Sequence, residues 1–123
     1  MKREAKFQTT FNHFLKSSFK HIFVYKIPDG SFAQSPFDVF SVDKYGQFHA
    51  WELKQTQTDS IPFSAVVDHQ VTALEIVSGM VVIKYPKGVS IIPIDIFIDE
   101  KKRSERKSLT WERAQTLNTL DFK

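Results

Sequence analysis

Pro36-Phe37-Asp38-Val39-Phe40-Ser41-Val42-Asp43-Lys44-Tyr45-Gly46-Gln47-Phe48-His49-Ala50-Trp51-Glu52-Leu53-Lys54 contains two runs rich in aromatic and β-branched residues, broken by one turn signal. The runs, about Phe37 to Val42 and Gln47 to Lys54, predict two strands. Asp at the first position and Gly at the fourth of Asp43-Lys44-Tyr45-Gly46 suit a type I turn. Such a turn followed by a left-handed glycine makes a three-residue hairpin loop with a bulge. With Lys44, Tyr45 and Gly46 as the loop, Asp43 faces Gln47, and counting outward Asp38 faces Glu52. Opposed residues share a sheet face with Cβ atoms roughly 5 Å apart. Glu52 and Lys54 share that face by the strand's period of two. A loop one residue shorter or longer would set Trp51 opposite Asp38 instead.

Upstream, residues 3 to 19 predict a helix, with Phe7, Phe11, Phe14 and Leu15 at helical spacing and no Gly or Pro. Glu4 falls on the same stripe, an odd place for a carboxylate. His21 to Ile27 predicts a strand, ended by Pro28-Asp29-Gly30-Ser31. Downstream, Gln55 to Ser60 is a polar loop, and Phe63 to Ser78 predicts a helix stopped by Gly79. Met80 to Tyr85 is apolar enough for a central strand. Val89 to Ile98 predicts a fifth strand, edged or bulged at Pro93, with Asp95 and Asp99 on its outward side. A short helix with Trp111, Ala114 and Leu117 closes the chain. The pattern is a single domain over residues 1–123, of mixed α/β (α+β) class, with about five strands flanked by helices.

The 123 residues suit one core, and twelve phenylalanines point to an aromatic one. There is no cysteine, which excludes disulfides and thiolate metal sites. No apolar run approaches membrane-spanning length and none follows the N-terminal charges, so neither a membrane segment nor a signal peptide is expected. A cytoplasmic setting fits, the host's cytoplasm if the chain is phage-encoded. His13, His21 and His49 are too scattered for zinc. No Gly-rich phosphate loop argues for nucleotide hydrolysis. The net charge is +3 and the isoelectric point about 9.2. Lys101, Lys102, Arg103, Arg106 and Lys107 crowd together, either as a solvated loop or as a DNA-phosphate patch, with Lys6, Lys16 and Lys20 as further contacts.

Two carboxylates on adjacent strands suit Mg²⁺, which takes a few carboxylate oxygens and keeps waters and substrate phosphate. Asp38 and Glu52 are the candidate ligands, with the Leu53 carbonyl as a third. Lys54 would orient the attacking water or stabilise charge developing on phosphorus. The plain alternative is a solvated charge ladder on an exposed face. Against it, these charges stand inside otherwise apolar strands, with Phe37, Val39 and Phe40 beside Asp38 and Trp51 and Leu53 beside Glu52.

Glu52-Leu53-Lys54-Gln55-Thr56, then Ser60-Ile61-Pro62-Phe63, Asp68-His69-Gln70 and Arg106-Lys107-Ser108-Leu109 together resemble the RecU-type Holliday junction resolvases. Those belong to the restriction-endonuclease-like superfamily with its PD-(D/E)xK motif. The resemblance runs from about Ser35 to Leu109. It implies a restriction-endonuclease-like core, and a homodimer cutting four-way or related branched DNA with Mg²⁺, Mn²⁺ able to substitute. It also implies Asp38 and Glu52 as metal ligands, Lys54 as catalytic lysine, and Gln70 and Glu4 as supporting site residues. His69 would touch DNA or cap the packing beside Gln70. The chain departs from the pattern at Ser35-Pro36-Phe37, where relatives carry threonines. Only Pro28 to Ser35 stands where they insert a stalk associated with junction binding. A flap or duplex nuclease of the same fold, and a catalytically silent DNA-binding module, are the alternatives.

Overall fold

The computed structural model describes residues 2–18, 23–27 and 36–120. The expected strand start at His21-Ile22, the 28–35 turn segment, the last residue of the first predicted helix, Phe19, and the phosphate contact Lys20 lie outside them. A first helix, α1 (Lys2–Ser18), is followed by strands β1 (Phe23–Lys26), β2 (Val39–Val42), β3 (Phe48–Gln55) and the short β4 (Ser60–Pro62). After one 3₁₀ turn come α2 (Asp68–Val77), β5 (Met80–Tyr85), β6 (Gly88–Pro93), α3 (Ile94–Arg103), β7 (Ser108–Thr110) and α4 (Trp111–Leu117).

Five strands form one mixed sheet in the order β1-β2-β3-β5-β6. Only β3 and β5 run parallel, and α2 is the crossover between them. β4 and β7 pair separately and antiparallel. Alternation divides the core between the two sheet faces. Trp51 and Leu53 of β3, with Val39, Val82 and Ile91, pack under Phe7, Phe11, Phe14 and Leu15 of α1. The Phe11 ring meets Trp51 edge-on at 5.2 Å. The Trp51 indole N–H is satisfied by Ser41 Oγ at 2.9 Å, which lets so large a side chain be buried. The opposite face carries Ala50, Val81, Ile83, Tyr85 and Ile92 under α2, α3 and α4.

The hairpin follows its turn chemistry. Gly46 is left-handed at φ 81°, Gly46 N–H donates to Asp43 O, and Asp43 N–H donates to Gln47 O, each at 3.0 Å. The Asp43 carboxylate tightens the loop by accepting from the Tyr45 and Gln47 N–H groups at 2.8 and 3.0 Å. A hydrogen bond from His49, and then these backbone bonds, hold the Asp43 carboxyl down at about 2. The resulting register pairs Val39 with Trp51 and Val42 with Phe48; Asp38 stands just ahead of the paired strand, and its carboxylate acts on that of Glu52.

Other expectations are corrected. The helix predicted over Phe63 to Ser78 is broken: Phe63–Ala65 is a 3₁₀ turn, Val66 and Val67 are extended, and the α-helix starts at Asp68. At its end the left-handed residue is Ser78 (φ 53°), not Gly79. Gly79 is needed for space, since a Cβ there would collide with Leu74 and lie 3.1 Å from Ala50 O. The fifth strand stops at Pro93. Ile94–Arg103 is helical, with Asp95 in its first turn and Lys101, Lys102 and Arg103 in its last, both favourable to the helix dipole. Asp95 and Asp99 therefore lie on α3 rather than on an edge strand.

Candidate functional site

The site is built where β2 begins and β3 ends. In the regular ladder the bond after Val39–Trp51 would use the Phe37 backbone. Instead, a bend at Pro36 to Asp38 leaves the ladder, and Asp38 N–H donates to Trp51 O at 3.1 Å. The Leu53 N–H is taken by Asp38 Oδ2 at 2.9 Å. A strand residue presents its N–H and C=O to the same side, so the Leu53 carbonyl also faces the Asp38 end of β2.

Glu52 is 1% exposed. Lys54, two residues on and on the same face, sets its Nζ 3.1 Å from Glu52 Oε2. Glu52 Oε1 is buried with no hydrogen-bond partner among the described residues. Burial first, and then the nearby Asp38 carboxylate, raises the Glu52 carboxyl to about 8, with Lys54 pulling the other way. Two acids pressed together and an orphaned buried oxygen are what a divalent cation satisfies: it offsets both charges and takes up the free lone pairs. The donor set is hard and all-oxygen, Asp38 and Glu52 carboxylates with the Leu53 carbonyl, as Mg²⁺ or Mn²⁺ prefers. Among the described residues no third carboxylate or histidine joins the pair. Glu4 sits in the first turn of α1, and its side chain lies outside the described residues.

α2 crosses from the end of β3 to the start of β5, and its C-terminal end is pinned where Gly79 meets Ala50. Its N-terminal end, with Asp68, His69 and Gln70, therefore lies toward the end of the sheet that carries Glu52 and Lys54. Gln70 caps that helix: its Oε1 accepts from Val67 N–H at 3.2 Å. His69 is half-buried beside it. α3 starts at the other end of α2, with Ile94 N–H on Gly79 O. The chain after α3 comes back to β4, with Phe63 N–H on Lys107 O at 3.0 Å. Lys101, Lys102, Arg103, Arg106 and Lys107 are all exposed there, on the last turn of α3 and the following loop. Arg103 is partly engaged by Asp99 at 3.2 Å. Lys6 and Lys16 are exposed on α1, which covers the opposite sheet face. The β4–β7 pair was missed from the sequence, as were the exposed rings of Phe23, Tyr25 and Phe48, whose spacing alternates like any buried strand's.

No protein-family model matches the chain, and no curated protein matches it. A solved structure does. The fold matches that of a Holliday junction resolvase. This is Hjc of the archaeal hyperthermophile Archaeoglobus fulgidus, with a TM-score of 0.65 over 91% of this chain and 92% of Hjc. The two sequences are 16% identical, so the likeness to Hjc is one of fold: a restriction-endonuclease-like mixed sheet of five strands flanked by helices. No helix among the described residues is long and apolar enough to cross a membrane.

Proposed function

We propose that this chain is a Mg²⁺-dependent endonuclease, with Mn²⁺ able to substitute, that cuts Holliday junctions or related branched DNA as a homodimer. The observation that carries this reading is the convergence of Asp38, Glu52 and Lys54 at the end of one hairpin, with Glu52 Oε1 left unpartnered in a buried position. The likeness in fold to a Holliday junction resolvase supports the substrate class. Two-fold assembly follows from the task, since resolving a junction takes two cuts on symmetry-related strands.

Asp38, Glu52 and the Leu53 carbonyl would hold the cation. When bound, it would polarise the scissile phosphate and lower the pKa of a coordinated water. Asp38 is fixed for this by the Leu53 N–H, which takes one carboxylate oxygen and orients the other. Glu52 is held by Lys54. The Lys54 Nζ is held by that contact close to where negative charge would build on phosphorus. Gln70 steadies the α2 end that faces the site, and His69 lies within the same turn. Lys101, Lys102, Arg103, Arg106 and Lys107 would hold flanking phosphates, and Glu4 would supply a further carboxylate from α1.

The short 28–35 segment favours a second substrate reading, a flap or duplex nuclease with the same chemistry. Labelled four-way junction, flap and linear duplex, incubated with Mg²⁺, Mn²⁺ or EDTA, separate the cases. Paired nicks in the junction alone support resolution; cutting of flap or duplex supports the second reading. Binding with no cutting under any cation would mean a silent DNA-binding module, and would defeat the nuclease assignment.

A further inference from the structure

The sheet face that carries Asp38, Glu52 and Lys54 is covered unevenly. Over β3, β5 and β6 it is roofed by α2, α3 and α4. Over β1 and β2 no described helix lies on it, and the alternating positions there are aromatic. Phe23 and Tyr25 of β1, Phe40 of β2 and Phe48 of β3 share this face. Phe23, Tyr25 and Phe48 are 49%, 46% and 48% exposed.

The rings form one surface. Phe23 and Tyr25 lie 6.3 Å apart and Phe40 and Phe48 5.5 Å apart, each pair within 21° of parallel. Phe40 bridges them, 5.2 Å from Tyr25 and 5.8 Å from Phe23. The register places this surface beside the acids. Tyr25, Phe40 and Ala50 stand in one row across the strands. Two residues further along these strands come Ile27 and Asp38, joined by Ile27 N–H on Asp38 O at 2.8 Å, and Glu52, two residues past Ala50 on β3. That step along a strand is about 7 Å. That is roughly the rise of two stacked nucleotides.

We propose that this aromatic wing is a stacking platform for unpaired nucleobases next to the scissile phosphate. The assignment rests on the nuclease reading above and narrows it. A strand whose phosphate sits at Asp38 and Glu52 and runs toward β1 passes its neighbouring nucleotides over these rings. No side chain on the wing's described face is charged, so it suits the neutral face of a base rather than a phosphate. Paired bases keep their faces inside the duplex stack; only unpaired ones can lie on Phe23, Tyr25 and Phe48. The preferred substrate therefore has melted or single-stranded nucleotides on one side of the cut, as at a branch point or flap.

The test measures binding in EDTA, so that it does not depend on cutting. The probes are a duplex with a short unpaired stretch carrying 2-aminopurine, and its fully paired counterpart. The wild-type chain is expected to quench the unpaired 2-aminopurine and to bind that probe more tightly. The double substitution Phe23→Ser with Tyr25→Ser removes two half-exposed rings. It should weaken the unpaired probe by about tenfold or more and abolish the quench, leaving the paired probe unchanged. The exchange Phe23→Tyr with Tyr25→Phe keeps both ring faces and should keep both signals. Equal weakening of both probes, or no weakening, would overturn the platform. So would a halving of mass by light scattering in the double variant, since the rings would then join two copies of the chain. A wild-type protein that quenches the probe yet cuts nothing with Mg²⁺ would defeat the nuclease reading and leave the platform standing.

Discussion

Replacing Glu52 with glutamine separates the two forces that meet at the site. The Glu52 carboxyl is raised from 4.5 to about 8 by burial and by Asp38. At about 1.4 kcal/mol per pH unit, ionising it costs about 5 kcal/mol more in the folded chain than in the unfolded one. Below pH 4.5 the group is neutral in both states and takes nothing from stability. Between 4.5 and about 8 only the unfolded chain ionises it, so stability falls; above about 8 the loss is complete. A domain this size holds roughly 5 to 15 kcal/mol in all, so the metal-free protein should be conspicuously weak at alkaline pH. Urea unfolding in EDTA from pH 5 to 9 reads this directly. Wild type should lose about 3 to 5 kcal/mol across the range relative to Glu52→Gln. Adding Mg²⁺ should restore wild type at pH 8, help it much less at pH 6, and do nothing for the glutamine variant, because binding displaces the proton. Parallel pH slopes for the two proteins, or Mg²⁺ stabilising both alike, would refute the reasoning.

Asp38→Asn should abolish cutting while sparing DNA binding. It should also reduce the alkaline weakening of the metal-free protein and complete it at a lower pH, since the Asp38 charge helps raise Glu52; a gel assay and the same urea series check both. Lys54→Ala should cut at least tenfold more slowly at saturating DNA, and unchanged single-turnover rates would remove it from the chemistry. Gly79→Ala forces a methyl into Leu74 and the Ala50 carbonyl and should cost about 1 to 3 kcal/mol in a thermal melt, with α2 displaced from β3. Lys101→Ala with Lys102→Ala and Arg106→Ala should weaken binding to every DNA alike and flatten its salt dependence by about two to three units of slope, measured by titration across 50 to 200 mM salt.

The hairpin and its register from Val39–Trp51 to Val42–Phe48 were legible in the sequence because their determinants are local. Turn chemistry at Asp43 and Gly46 sets the loop, and the period of two does the rest. The first helix was legible because Phe7, Phe11, Phe14 and Leu15 all face one sheet. Ile94 to Ile98 misled because Ile-Asp-Ile alternates like a strand, while the helical spacing of Ile94 and Phe97 serves burial of α3 against α2 and the sheet. The break at Val66 and Val67 was hidden by valines that fit a helical stripe; one of them, Val67, is 43% exposed. β4 and β7 are three residues each and find one another across the chain, so neither carries a period of its own. The end of Gly79 as a helix stop was right in place and wrong in cause: backbone proximity to Ala50, not handedness, demands it.

The clasp formed by Asp43 on the Tyr45 and Gln47 amides acts as a phase reference for everything that follows it outward to Asp38 and Glu52. Adding or deleting one residue between those two acids would not merely shift them. It would set Asp38 against an apolar neighbour of Glu52 and exchange the side chains of one strand between the two packed faces of the sheet. The chain outside that interval is free of this parity. Length can vary ahead of Pro36 or beyond Gln55 with the acid pair left in step, so relatives of this protein should keep the spacing from Asp38 to Glu52 while differing freely in what they insert on either side.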